Sequence, residues 1–259
     1  MDSGSLKGII SASDLMRAKQ DDPVYLVQHI SRQTELAPLI EIAHSLPNLM
    51  VQWVHAGMRA HQVSHIFTAV SDAITHKLIQ FAEQKLGPSP VPYCWLGFGS
   101  QGRTEQLLGA DQDNGLIIDN SIQPEHEPWF EQLATFVCDG LDACGYDYCL
   151  GKVMATTNEW RQPLHEWQVT VDRWTRSPTD DAVMRVSIFF DLRCIYGDES
   201  LCTKLQHYML EKTSNNSIFL AALAQNALSN VPPLGIFRRF VVEQNGEHED
   251  QVNVKKRGI

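Results

Sequence analysis

Two carboxylates stand two positions apart, Asp111 and Asp113, where the chain enters the apolar run Asn114–Asp119. In an extended chain residues i and i+2 face the same side, so both can address one ion. Such hard oxygen ligands suit Mg2+ (or Mn2+), which takes one or two carboxylates and keeps positions for water and phosphate. Just upstream, Gly97, Gly99 and Gly102 surround Ser100 and Arg103. Glycines let an anion approach the backbone closely. Backbone N–H groups at Gly99 and Ser100, where a strand gives way to a helix, point at that anion, and the helix dipole adds to the attraction. The Ser100 hydroxyl can donate to a phosphate oxygen, and Arg103 can hold one in a bidentate fork. Glu105 has two readings: it orients Arg103, or it touches the metal. A metal and a phosphate cradle side by side serve transfer chemistry at a triphosphate. The full pattern is G-S-x-G-R-x-E, five residues, then D-x-D, between two apolar strands. That is far more specific than a lone D-x-D.

The surrounding sequence predicts the elements that hold this corner. Tyr93–Phe98 reads as the first strand, Ser100–Leu108 as turn and helix, and Asn114–Asp119 as the second strand. Pro124 and Pro128 bracket a helix start, and Trp129, Leu133, Phe136, Val137, Leu141 and Cys144 form its apolar face, ending at Gly145. Tyr146–Ala155 is expected as a third strand, giving a small mixed sheet with helices packed on it. Upstream, Asp21–Asp22–Pro23 opens a helix. Leu36–Leu46 and Leu49–Met58 follow as separate helices, then a long run from Val63 to Leu86. In that run Val63, Ile66, Phe67, Val70, Ile74, Leu78 and Phe81 recur at helical spacing. The proline-rich 87–92 is a connector. Downstream, Trp160, Trp167 and Trp174 mark helices, Pro178 opens another running to Tyr196, and Leu201–Lys212 and Ser217–Leu228 complete a bundle. Asn245–Gly246 suggests a hairpin within Phe237–Lys256. The fold class is therefore α+β. The expected domains are 1–19, a 20–92 helical region, a 93–157 core and a 158–259 bundle that reads as truncated at its abrupt end.

Composition narrows the partners. The chain has 259 residues, 43% of them hydrophobic, and a net charge of -10. An acidic surface argues against general nucleic-acid binding, which rests on counterion release by basic groups. A nucleotide needs only a local patch of donors. No apolar run is long enough to span a membrane. Cys94, Cys138, Cys144, Cys149, Cys194 and Cys202 show no C-x-x-C pairing, so a cytoplasmic location with reduced thiols is expected. His61 and His65 stand four apart in H-Q-V-S-H, which lacks the glutamate of a zinc-protease helix, and are read as surface or packing residues.

The strings L-G-F-G-S-Q-G-R-T-E-Q, A-D-Q-D-N-G-L-I-I, G-K-V-M-A and F-F-D-L-R-C-I-Y-G-D lie between residues 96 and 198. They resemble the polymerase-β-type nucleotidyltransferase superfamily in its PII-uridylyltransferase-like branch. More closely, they resemble the nucleotidyltransferases that follow CBS and cyclic-nucleotide-binding domains in bacterial signalling proteins. G-I-I-S-A-S-D-L-M, within 1–19, resembles the closing piece of a CBS domain, as if the chain were cut from a longer regulatory protein. The resemblance implies transfer of UMP or AMP from a nucleoside triphosphate, with a protein as acceptor. It places phosphate at Gly99 and Ser100 and metal at Asp111 and Asp113, with Arg103 and Glu105 in the same motif. CBS and cyclic-nucleotide-binding domains would be neighbours in the full-length protein, and a homodimer is compatible with it. Active members of the superfamily commonly place a third carboxylate on the next strand as base. Here 150–155 contains no acid and Asp147 lies early. Asp191 is the remaining third-acid candidate, its other reading being an ion pair with Arg193. Loss of that acid would leave a catalytically inactive module that binds nucleotide.

Overall fold

The computed structural model describes residues 23–176 and 180–229. The resemblance drawn for 1–19 and the hairpin within 237–256 lie outside them. Three helices come first: α1 (Pro23–Ser31), α2 (Leu36–His55) and α3 (Ala60–Leu86). The long α3 buries Val63, Phe67, Val70, Ile74, Leu78 and Phe81, the stripe that its spacing predicts. Leu36–Leu46 and Leu49–Met58 are corrected to one helix, α2, with Pro47 inside it. Its buried face Leu39, Ala43, Leu46, Leu49 and Trp53 runs unbroken past the proline. Burying these side chains, worth ~1.5–3 kcal/mol for each large one, outweighs the ~3 kcal/mol that an internal proline costs.

Beyond the 87–92 connector lies β1 (Tyr93–Gly97), then a single turn α4 (Gly99–Gly102) and β2 (Asn114–Ile118). Every residue of β1 and β2 is buried. A one-turn 3-10 helix at Pro124–His126 leads into α5 (Glu127–Ala143). A second 3-10 turn at Asn158–Trp160 leads into β3 (Arg161–Pro163), and further on comes β4 (Arg193–Gly197). The four strands form one mixed sheet in the order β3-β2-β1-β4. β1 pairs antiparallel with both β2 and β4, whereas β2 and β3 are parallel. Glu83 of α3 accepts hydrogen bonds from Tyr93 Oη and Tyr196 Oη, both at 2.8 Å, and so ties α3 to two strands.

Four strand and helix expectations change. Tyr146–Ala155 is not a strand but an irregular segment. Lys152 adopts φ 57, and the segment bonds to the backbone and side chains of Gln112 and Asn114 instead of forming a ladder. The helix expected over Ser100–Leu108 stops after Gly102, because Thr104 turns left-handed at φ 61. The helix expected to reach Tyr196 ends at Phe189, and β4 follows. Asp191 therefore lies in a turn. Trp160 likewise sits in a 3-10 turn, not a helix.

Among the described residues the chain divides into two compact units. One runs up to Leu164 and adds Asp191–Thr203; the other comprises His165–Phe190 and the residues from Lys204 onward. The second unit is helical, drawing on α6 (Leu164–Arg176), α7 (Asp180–Phe189), α8 (Glu199–Thr213) and α9 (Ser217–Ser229). Trp167 stacks on Phe189 with ring centroids 4.8 Å apart, and Trp174 meets the same ring edge-on. No helix among the described residues is long and apolar enough to cross a membrane.

Candidate functional site

The register of the sheet builds the site. Gly97 pairs with Asn114, and Phe98 N–H continues the ladder to the Asp113 carbonyl at 3.0 Å. Gly99 is thus brought beside Asp113. It adopts φ +51, and a Cβ there would sit 3.4 Å from Asp113 Oδ2. The turn α4 then closes through Gly102 N–H to Phe98 O and Arg103 N–H to Gly99 O. The N–H groups of Gly99, Ser100 and Gln101 open this turn and have no intrahelical acceptor. With one turn of helix, the dipole expected from a longer one contributes little; the N–H groups carry the attraction for an anion.

Asp111 and Asp113 are half-buried, while the residues between and after them, Gln112 and Asn114, are buried. Alternation explains the division. Gln112 Nε2 donates to Cys138 O and to Tyr146 O, both at 2.9 Å. Asn114 Oδ1 accepts from Ala155 N–H at 2.9 Å, and Asn114 N–H donates to Val153 O. These bonds lash the irregular 146–155 segment against the acidic pair. One consequence escaped the sequence: Cys149 Sγ and a carboxylate oxygen from each of Asp111 and Asp113 all lie within 4.8 Å of one another. Among the described residues these three form the group that could hold an ion. Two carboxylates and a thiol are a workable donor set for a divalent cation, so the residues fit one. Burial, and then the carboxylates of Asp113 and Asp111, push the Cys149 thiol up to about 11. Nothing in the amino-acid pattern marks Cys149, which stands 36 positions beyond Asp113 in a segment without acids next to it.

Arg103 is held by two acids. Its Nε donates to Glu105 Oε2 at 2.9 Å, and Nη1 donates to Asp191 Oδ2. Burial opposes the charge, but these two partners outweigh it and hold the guanidinium above its ordinary range. Glu105 therefore has the orienting geometry of its two readings. The expected pairing of Asp191 with Arg193 is corrected: Asp191 takes Arg103, and Arg193 forks onto Asp72 at 2.9 and 3.1 Å. Side chains two apart do not face each other on a helix, and here Asp191 lies in a turn while Arg193 opens β4. Arg193 also donates to Gln101 O at 2.8 Å, and Gln101 Nε2 donates to Asp72 Oδ1 at 3.1 Å. Asp72, unnoticed in the sequence, and Arg193, expected to serve Asp191, thus fix the floor of α4. Ser100 is half-exposed at the turn. The Asp147 side chain is exposed, and Asp147 contributes its backbone oxygen to Gln112 N–H. His61 and His65 are both exposed.

A comparison with curated proteins gives no match. The profile described as "Putative nucleotidyltransferase substrate binding domain" matches residues 217–259. The profile described as "Putative nucleotidyltransferase DUF294" matches residues 44–181, just over half of the chain. That match spans α3, the glycine turn, the acidic pair and the Cys149 segment, and it places the chain in this nucleotidyltransferase family.

Proposed function

We propose that the chain transfers a nucleoside monophosphate, UMP or AMP, from a triphosphate to a hydroxyl on a protein acceptor in bacterial signalling. The observation that carries the reading is the ladder bond from Phe98 to Asp113, which sets a glycine phosphate turn against a pair of carboxylates. In the reaction the acceptor oxygen forms a bond to the α-phosphorus and the bond to pyrophosphate breaks, the hydroxyl proton leaving to solvent or a base. A divalent ion, when bound by Asp111 and Asp113, would neutralise charge on the phosphate oxygens. The N–H groups of Gly99 and Ser100 and the Ser100 hydroxyl orient the triphosphate. Arg103, held by Glu105 and Asp191, offers its remaining donors to a phosphate. Asp191 is assigned to positioning Arg103, with the part of third acid as its alternative. The 217–259 match supports a substrate-recognition role for the C-terminal segment. The resemblance of 1–19 supports a CBS neighbour.

One observation favours a second reading, a module that binds nucleotide without turnover. Residues 150–155 carry no carboxylate, and Asp191 is already engaged by Arg103. Pyrophosphate release and transfer of radiolabel from UTP or ATP, with Mg2+ or Mn2+, distinguish the two. The transferase reading expects both signals in wild type and neither in Asp111→Ala or Asp113→Ala, with circular dichroism unchanged. If the double alanine variant still labels an acceptor, the metal assignment is wrong. Triphosphate binding in calorimetry without pyrophosphate release selects the second reading.

A further inference from the structure

We infer that Cys149 Sγ is the third protein ligand of the ion held by Asp111 and Asp113, so that the site prefers a divalent transition ion over magnesium. The inference rests on the metal-dependent reading above and specifies its ion. Three observations carry it. The sulfur and both carboxylates fall within 4.8 Å of one another, close enough to share one ion after small rotations. Cys149 is 8% exposed whereas Asp111 and Asp113 are half-buried, so the sulfur addresses the acidic pair from the protein side and leaves the outer side open to phosphate and water. Its backbone is pinned on three counts: Cys149 N–H donates to Met154 Sδ at 3.4 Å, Lys152 N–H donates to Cys149 O at 2.9 Å, and Gln112 and Asn114 bind the segment on either side of it.

Ligand softness then decides the ion. A carboxylate in the third place would complete an all-oxygen set suited to magnesium, which favours hard ligands and dehydrates reluctantly. Sulfur is soft: zinc and cobalt accept it far better than magnesium does, and manganese, though it shares magnesium's preference for oxygen, also accepts it better. When the ion binds, the Sγ–metal bond forms as the thiol proton passes to solvent.

The test uses the full chain and cadmium as a thiophilic spectroscopic probe. Cadmium NMR of the wild type should give a resonance well downfield of an all-oxygen site, and the near-ultraviolet spectrum should gain a sulfur-to-metal charge-transfer band. That band should vanish in Cys149→Ser and in the Asp111→Asn/Asp113→Asn double variant, each checked for folding by circular dichroism. Persistence in either variant overturns the inference, because the sulfur would then be another cysteine or the carboxylates uninvolved. The NMR arm needs no substitution: an all-oxygen shift in wild type also overturns it. In calorimetry the wild type should favour Mn2+ over Mg2+, and Cys149→Asp should narrow that preference by on the order of tenfold. An unchanged preference overturns the inference. If Mn2+ binding depends on Asp111 and Asp113 but ignores Cys149, the inference falls and the transferase reading stands. If the wild type binds neither ion, the metal-dependent reading itself falls.

Discussion

A Cβ placed on Gly102 would lie 1.8 Å from the Asp191 carbonyl oxygen, whereas one on Gly99 would lie 3.4 Å from Asp113 Oδ2. The two glycines of one motif thus serve different ends. Gly99 supplies a left-handed φ of +51, a conformation that costs other residues ~1–2 kcal/mol. Gly102 supplies room for a backbone that cannot yield as a side chain tip would. Gly102→Ala should therefore destabilise by about 3 kcal/mol or more, as severe overpacking does, and Gly99→Ala by ~1–2 kcal/mol. Urea denaturation of both variants checks the order; a milder effect at Gly102 would mean that the Asp191 turn relaxes freely. Both glycines were legible as the makings of a tight turn because φ freedom and close approach are local matters. The reason for Gly102 was not, since Asp191 is remote in sequence and reaches the turn only through β4. Cys149 was illegible for the same kind of reason. Its proximity to Asp111 and Asp113 is created by bonds from Gln112 and Asn114, not by spacing.

At the scale of elements, the legible ones were those with a long period or strong punctuation. The α3 stripe, the 87–92 connector and the start and stop of α5 are set by residues within a few positions of one another. Short elements were harder. β4 has only five residues, and no proline or glycine separates it from α7, so the helical period overran the strand. In α2 the reverse holds: Pro47 stands in the gap between the two expected helices, yet the helix runs through it. Pro38 lies in the first turn of α2, where no intrahelical bond is lost. Pro47, exposed and deep in the helix, deprives the Ala43 carbonyl of its donor. Pro47→Ala should restore that bond and raise stability by about 2 kcal/mol, the internal-proline cost less the unfolded-state entropy that proline removes. Pro38→Ala should change it by less than about 1 kcal/mol. Thermal unfolding of the pair reads the difference, and a loss of stability in Pro47→Ala would show that the helix is shaped around a bend that alanine does not keep.

Across the whole molecule, the chain leaves the first unit at Leu164, returns at Asp191 and leaves again after Thr203. The sequence suggested a sheet region followed by a bundle, because no composition shift marks a strand that returns to its sheet from between helices. Charge is likewise a whole-chain property with local exceptions. At -10 overall, the chain still concentrates opposite charges where they order a unit. In the helical unit Asp172 accepts from Tyr208 Oη at 2.8 Å and pairs with Lys212 at 3.5 Å and Arg176 at 2.9 Å. The Tyr208 hydroxyl first, and then these cations, hold its carboxyl below the ordinary carboxylate value, partial burial opposing them. A depressed folded value means that the charge contributes stability above the unfolded carboxylate range, near 3.9, and loses it as pH falls through the folded value. Arg176 is 76% exposed, so solvent and salt screen much of the effect. Asp172→Asn keeps an acceptor for Tyr208 and removes the charge together with the oxygen that accepts from Arg176. It should lower stability by roughly 0.5–1 kcal/mol at pH 7, with the gap narrowing as pH falls below the unfolded carboxylate value and through the depressed folded one, and shrinking in high salt. Urea titrations of both proteins at pH 7 and pH 3 measure this. A gap that stays constant between the two would mean that Asp172 acts through its shape alone.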